Sequence, residues 1–210
     1  MFNNKDKIIS NTIYNLTIGG MLLYGFIVNY IMVMTVSNIV ASISPIIFIL
    51  LYLACAFAGV WIINAYDTPS MSFLGYNLIV VPVGAVLALC LPGYPAGDIM
   101  FAIILVAIIT ATMMIAAMTF PKIFDTLGWT LFIALSLALV VEIIALICGY
   151  AGNIFNWIFV IIFSLYVGYD WHKAQEESKT FDNAIDAAAN LYLDLINLLL
   201  RLLNIVSKDD

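Results

Sequence analysis

The segment NLYLDLINLLLRLLNIV (190–206) places five polar residues in a run that otherwise consists mainly of leucine and isoleucine. These residues are Asn190, Asp194, Asn197, Arg201 and Asn204. The spacings between them are four, three, four and three residues, which puts all five on one face of a helix. The surrounding apolar stretch, 184–206, is long enough to cross a bilayer. The sequence therefore predicts a transmembrane helix that carries one polar stripe.

The polar stripe is expected to face other helices or a water-filled cavity. An Asp or Arg side chain at the centre of a membrane helix costs about 2.5–3.5 kcal/mol on insertion scales, so the stripe should avoid lipid. Two structural interpretations compete with a functional one. The stripe either joins helices through asparagines and an Asp–Arg pair, or the helix lies flat at the membrane surface. The wide, continuous leucine face argues against the flat helix.

A second acidic residue lies in similarly apolar surroundings, Asp170 in IFSLYVGYDWHK (162–173). The polar run that follows, up to residue 183, predicts a turn and a new helix starting near Asp182. If so, Asp170 and Asp194 lie at similar depth on antiparallel neighbouring helices. Two carboxylates in contact do not both ionise without a large electrostatic penalty, so such a pair can share one proton. The functional interpretation is therefore a water-accessible proton or ion site.

The same pair offers the hard oxygen ligands that Ca²⁺ prefers, so Asp170 and Asp194 are candidate Ca²⁺ ligands, with asparagine oxygens of the stripe as further donors. Arg201 lies seven residues from Asp194, about 10 Å along the helix, which makes a direct pair less favourable. Glu142 is the only other charge well inside a span. It either lines the same pathway or hydrogen-bonds to a neighbouring helix. His172 is expected to be an exposed loop residue.

Composition sets the class of protein. The chain is 65% hydrophobic and 10% charged, whereas soluble domains contain about 25% charged residues. Seven apolar stretches are long enough to span a membrane, with proline or glycine at most of the breaks between them. They lie at about 14–38, 45–64, 73–92, 98–120, 127–149, 153–171 and 184–206. No linker is long enough for a soluble domain, so residues 1–210 are predicted to form one all-α, multi-pass membrane domain.

The lysines predict the orientation of the chain in the membrane. With seven spans, the positive-inside rule places the N-terminus in the cytoplasm, because five lysines then lie inside and one outside. The five are Lys5, Lys7, Lys122, Lys173 and Lys179, and the one outside is Lys208. No targeting segment is recognised, so the bacterial inner membrane is the expected location.

Several function classes are not supported by the sequence. There is no HExxH, G-x-S-x-G, P-loop or Gly-rich dinucleotide motif, so no enzyme activity and no cofactor are expected. There is no basic patch for nucleic acid. The expected partners are the lipid bilayer, H⁺ and Ca²⁺ as a transported ion.

Several of these segments resemble a known family. IFSLYVGYDWHK together with LYLDLINLLLRLLNIVSKDD (191–210) is similar to the C-terminal signature of the transmembrane Bax inhibitor motif (Bax inhibitor-1-like) family. PKIFDTLGWTLF (121–132), with Asp125 and Gly128, resembles the family's loop between spans 4 and 5. The specific resemblance covers about the last 90 residues, and before that it rests mainly on the number of spans.

The resemblance implies seven helices, six of them around a central C-terminal one. It also implies a pH-sensitive calcium leak with Asp170 and Asp194 as the sensor. Some bacterial members carry arginines just after the tryptophan that matches Trp61, and one of these latches the acid pair; here Ile63 and Asn64 stand in that run. Two rival functions remain open. One is a regulatory protein that binds a protease or a cell-death factor, and the other is a proton-coupled carrier that uses the same acids.

Overall fold

The computed structural model describes residues 7–150 and 152–207. Lys5 and Lys208, which contribute to the orientation argument, lie outside these residues. Within the described ranges nine α-helices follow one another, and Leu91–Gly93 adds a short 3₁₀ turn. The helices are α1 (Asn11–Thr35), α2 (Ser37–Ala41), α3 (Pro45–Ala65), α4 (Pro69–Cys90), α5 (Ala96–Thr119), α6 (Pro121–Phe124), α7 (Leu127–Ile147), α8 (Ile154–Glu176) and α9 (Phe181–Val206).

Seven of these helices are long and apolar enough to cross a membrane. They are α1, α3, α4, α5, α7, α8 and α9, and they confirm the predicted all-α fold with seven spans. The helix boundaries follow the predicted breaks. Pro45 and Pro69 occupy the first turn of α3 and α4, where a missing N–H has no cost. Gly149, just after α7, has a φ of +79°, which glycine adopts without strain.

The last two helices extend into the polar run between them. The predicted span at 153–171 is the apolar part of α8, which continues to Glu176. α9 begins at Phe181, next to the predicted helix start near Asp182 and before its apolar span at 184–206. Lys, Ala, Gln and Glu at 173–176 are all good helix formers, so the helix continues where the hydrophobicity ends. The connection between α8 and α9 is therefore only four residues long.

The spans differ strongly in how much of each is buried within the protein. In α3, α5 and α7, 6% of the most apolar window is buried, compared with 39% in α8, 44% in the span that contains α4, and 56% in α9. A transmembrane helix that is hydrophobic all round and little buried presents most of its side chains to lipid. The C-terminal helix, in contrast, is the most buried of the seven.

The chain divides into two compact units. The first comprises the described residues of Met1–Gly93 together with Glu177–Tyr192. In this unit the Tyr76 hydroxyl of α4 donates a hydrogen bond to the Met21 carbonyl of α1 (2.8 Å), and the Asn29 amide donates to the Tyr192 hydroxyl (2.6 Å). Gly59 of α3 and Gly75 of α4 let the two backbones approach closely, because a Cβ on either one would meet the carbonyl oxygen of the other.

The second unit comprises the described residues of Tyr94–Glu176 and Leu193–Asp210, and glycines also permit close packing here. The Phe124 ring lies against Gly168 of α8, where a larger residue would collide with it. The Tyr169 hydroxyl lies in the same way over Gly128 at the start of α7. These contacts fix α8 against the short α6 and the first turn of α7. The polar residues discussed next belong mainly to this second unit.

Candidate functional site

The two acids singled out by the sequence form a pair. Asp170 lies six residues before the end of α8 and Asp194 lies near the middle of α9. Their carboxyl groups are hydrogen-bonded to each other. Asp194 is 6% exposed, while Asp170 is half-buried. The structure thus brings these two residues together between antiparallel neighbouring segments of the same compact unit.

The hydrogen bond between the acids has a chemical requirement. A carboxylate only accepts hydrogen bonds, so two carboxyl groups bond to each other only when one of them holds a proton. The second oxygen of Asp194, Oδ2, is buried and has no hydrogen-bond partner among the residues that the structure describes. A buried oxygen without a partner carries an energetic penalty, and a proton, a water molecule or a cation would each relieve it. Tyr166 lies one turn before Asp170 on α8 and is half-buried.

Arg201 does not pair with either of these acids but with Glu142. The guanidinium of Arg201 donates two hydrogen bonds to the Glu142 carboxylate of α7, at 2.5 and 2.9 Å. It also donates to the Asn156 side chain of α8 at 3.2 Å and lies over the Phe159 ring, 3.9 Å from its centre. Both charged side chains are largely buried, with exposures of 22% and 18%. The alternative in which Glu142 bonds to a neighbouring helix is therefore the one observed.

The three asparagines of the stripe have different surroundings. Asn204 accepts a hydrogen bond from the Tyr94 hydroxyl (2.9 Å) and donates one to the carbonyl of its own helix at Leu200 (3.0 Å). Asn197 is half-buried and donates to the Leu193 carbonyl (2.8 Å). Asn190 is exposed. Two of these asparagines are those expected to supply oxygens near the acid pair. Asn190 lies one helical turn before Asp194 on α9, and Asn197 lies one turn after it.

The polar stripe begins earlier on α9 than Asn190, the first residue assigned to it from the sequence. Asp182 is 2% exposed and accepts a hydrogen bond from the Ser72 hydroxyl of α4 at 2.6 Å. Asp186 follows one turn later on the same face and is half-buried. The signal was present in the sequence, because Asp182, Asp186, Asn190 and Asp194 recur every four residues. The polar face of α9 therefore runs along nearly the whole helix.

The prediction for His172 was wrong. The residue is 8% exposed and lies inside α8, because this helix continues past Trp171. Its Nε2 atom is 2.6 Å from the Asp125 carboxylate, in the link between α6 and α7. The i, i+4 spacing of His172 and Glu176 was visible in the sequence. It makes the two side chains neighbours only if both lie in the helix, and α8 extends far enough to include them.

Comparison with known proteins extends the resemblance seen in the C-terminal segments. A family model described as "Inhibitor of apoptosis-promoting Bax1" matches residues 6–210, which is nearly the whole chain. No curated protein matches the sequence significantly. The resemblance to the Bax inhibitor-1-like family is therefore confirmed over all seven spans.

Proposed function

The chain belongs to the Bax inhibitor-1-like family of multi-pass membrane proteins, and from this premise we propose that it is a passive calcium leak controlled by protonation of Asp170 and Asp194. The observation that carries the proposal is the hydrogen bond between these two carboxyl groups, with Asp194 buried in an apolar span. An ionisable residue at membrane depth is expensive and marks an ion or proton pathway by default. Two of them in contact strengthen that inference.

The pair acts as a switch because its two protonation states have opposite effects. With one shared proton, the hydrogen bond holds α8 and α9 together at Asp170 and Asp194. When that proton leaves, two negative charges repel each other at short range, and four carboxylate oxygens become available. Ca²⁺ requires six to eight oxygen ligands in all, so water and the stripe's asparagine oxygens complete the shell during passage. The ion is cargo, and no resident metal is required.

We further propose that the N-terminus faces the cytoplasm and that the protein resides in the bacterial inner membrane. The support is the excess of lysines on one side of the seven spans. In this orientation the α8–α9 connection, the link between α6 and α7 and the N-terminal segment share the cytoplasmic side.

Calcium flux into liposomes of purified protein tests the proposal. We expect flux down the Ca²⁺ gradient without a cosubstrate, and a flux that changes with pH. Asp170→Asn and Asp194→Asn should each flatten the pH response, since either change removes the shared proton. Because the pair titrates as one unit, the double variant should differ little from either single variant. Asp67→Asn, a change of an exposed acid in the α3–α4 turn, is the matched control and should behave as wild type.

Four results would contradict the proposal. A flux that requires a second substrate indicates a carrier, and no flux at all indicates a regulatory protein. Additive effects of the two Asp→Asn changes, or a pH response that survives in the double variant, would place the sensor elsewhere. Glu142 would then be the next residue to test, because its carboxylate is largely buried in the same compact unit.

A further inference from the structure

Three side chains with metal-binding atoms converge at the end of α8, apart from the acid pair. They are Asp125, His172 and Glu176, and one ligand atom of each lies within 4.8 Å of those of the other two. The His172 Nε2 atom is 2.6 Å from Asp125 Oδ1 and 3.6 Å from Glu176 Oε1. His172 and Asp170 are two residues apart on α8, so their side chains leave the helix in nearly opposite directions. The cluster is therefore separate from the acid pair.

The charges in this cluster are not balanced by the histidine alone. A neutral imidazole has a single N–H, and Nε2 can direct it at only one of the two carboxylates. The other carboxylate then lies close to a like charge, an unfavourable arrangement that water only partly screens, because both acids are partly exposed. A divalent cation bound between the ring nitrogen and the two carboxylates would compensate both charges at once.

The surroundings allow a cation to enter and be held. The histidine ring is buried, and its neighbour Phe124 packs 6.5 Å away between ring centres, so the nitrogen ligand is fixed in position. The side chains of Asp125 and Glu176 are 46% and 63% exposed, so the other two ligands reach the site from water. His172 and Glu176 occupy an i, i+4 position on one helix, which places both on the same face.

We propose that Asp125, His172 and Glu176 form a binding site for a divalent transition metal ion of the Zn²⁺ type. Imidazole nitrogen with carboxylate oxygens suits Zn²⁺ and its neighbours in the first transition series, whereas Ca²⁺ and Mg²⁺ prefer oxygen ligands only. Zn²⁺ takes three protein ligands and leaves a fourth position to water at open sites. Binding ties the link between α6 and α7 to the end of α8. This proposal does not depend on the calcium leak.

The test is metal binding by the full-length protein in detergent. The protein is purified without a polyhistidine tag, because such a tag binds the same metals and the chain itself has only one histidine. Co²⁺ serves as the spectroscopic probe, and Zn²⁺ is then titrated in competition with a coloured chelator. We expect one equivalent of tightly bound metal, not displaced by a hundredfold excess of Ca²⁺. Changing a group that only hydrogen-bonds to a metal ligand already weakens metal binding about 10–100-fold, so loss of a direct ligand should weaken it at least as much.

Three variants and a control decide the result. Bound Zn²⁺ should raise the Tm of the wild-type protein, because a ligand of the folded state stabilises it. We expect at least tenfold weaker Zn²⁺ binding, and no such rise in Tm, in each of His172→Gln, Asp125→Asn and Glu176→Gln. Glu177→Gln, which removes the acid that follows Glu176 in the sequence, should retain the wild-type affinity. Should His172→Gln fail to fold, the exposed Glu176→Gln variant still decides the question. Absence of saturable binding at one equivalent, or equal binding by Glu176→Gln and Glu177→Gln, would overturn the proposal.

Discussion

Replacing Arg201 with methionine is expected to destabilise the protein strongly, because the change leaves Glu142 buried without its partner. The wild-type pair makes two hydrogen bonds between α7 and α9, and methionine preserves only the apolar part of the arginine side chain. Breaking a buried ion pair by removing one partner typically costs about 3–5 kcal/mol. Both side chains here are about one-fifth exposed, so we expect the lower part of that range, about 3 kcal/mol.

Removing the other partner, in Glu142→Gln, should destabilise the protein less, because Arg201 has further contacts. In Glu142→Gln the guanidinium keeps its bond to Asn156 and its position over the Phe159 ring, and the glutamine oxygen still accepts a hydrogen bond. A loss of about 1–2 kcal/mol is expected for a weakened hydrogen bond to a charged group. The double variant removes both charges together, so its loss should be smaller than the sum of the two single losses by about 1–3 kcal/mol.

The measurement is the free energy of unfolding in mixed micelles, with a denaturing detergent as the titrant and helical circular dichroism as the signal. Lys122→Met is the matched control, since it removes an exposed cation from the same compact unit and should leave stability nearly unchanged. The reasoning fails if Arg201→Met is no less stable than Lys122→Met. It also fails if the double variant shows the full sum of the single losses, since the two residues would then not be coupled.

Two further predictions concern topology and the residues after Trp61. In a background without the three native cysteines, Asn153→Cys should react with an impermeant reagent added to intact cells and Lys122→Cys should not; external labelling of Lys122→Cys would refute the orientation. Ile63→Arg or Asn64→Arg supplies the cation that, by the family resemblance, latches the acid pair. We expect either change to reduce the basal leak through that latch, or to shift its pH midpoint, since a cation that pairs with the acids favours their ionised form. Calcium flux identical to wild type between pH 5 and 9 in both variants would contradict this.

The spans were predictable because length and hydrophobicity decide them, and the breaks because proline and glycine mark them. The predicted apolar span ends five residues before α8 does, for a physical reason. A hydrophobicity pattern detects where lipid contact ends, whereas helix propensity carries α8 on through residues 173–176. That shift turned His172 from an expected loop residue into a buried one, and it hid the convergence with Asp125.

The residues that belong to the site were easier to predict from the sequence than the pairs that they form. Spacing placed Asp194 and Arg201 on one stripe, and the short polar connection indicated that Asp170 would lie nearby. The stripe alone does not reveal how neighbouring helices are rotated about their own axes. The pairing of Arg201 with Glu142 depends on the rotation of α7. Glu142 distinguishes one face of this otherwise apolar helix, but the sequence does not indicate which neighbouring helix that face contacts.

The unequal burial of the spans has an evolutionary consequence. In α3, α5 and α7, where only 6% of the apolar window is buried, exchanging one aliphatic residue for another replaces one lipid contact with an equivalent one. Such helices are free to drift in sequence as long as they stay hydrophobic. In α9 most substitutions meet packed side chains or the polar stripe, so selection acts there position by position. We therefore expect sequence constraint to be weakest in α3, α5 and α7 and strongest in α9.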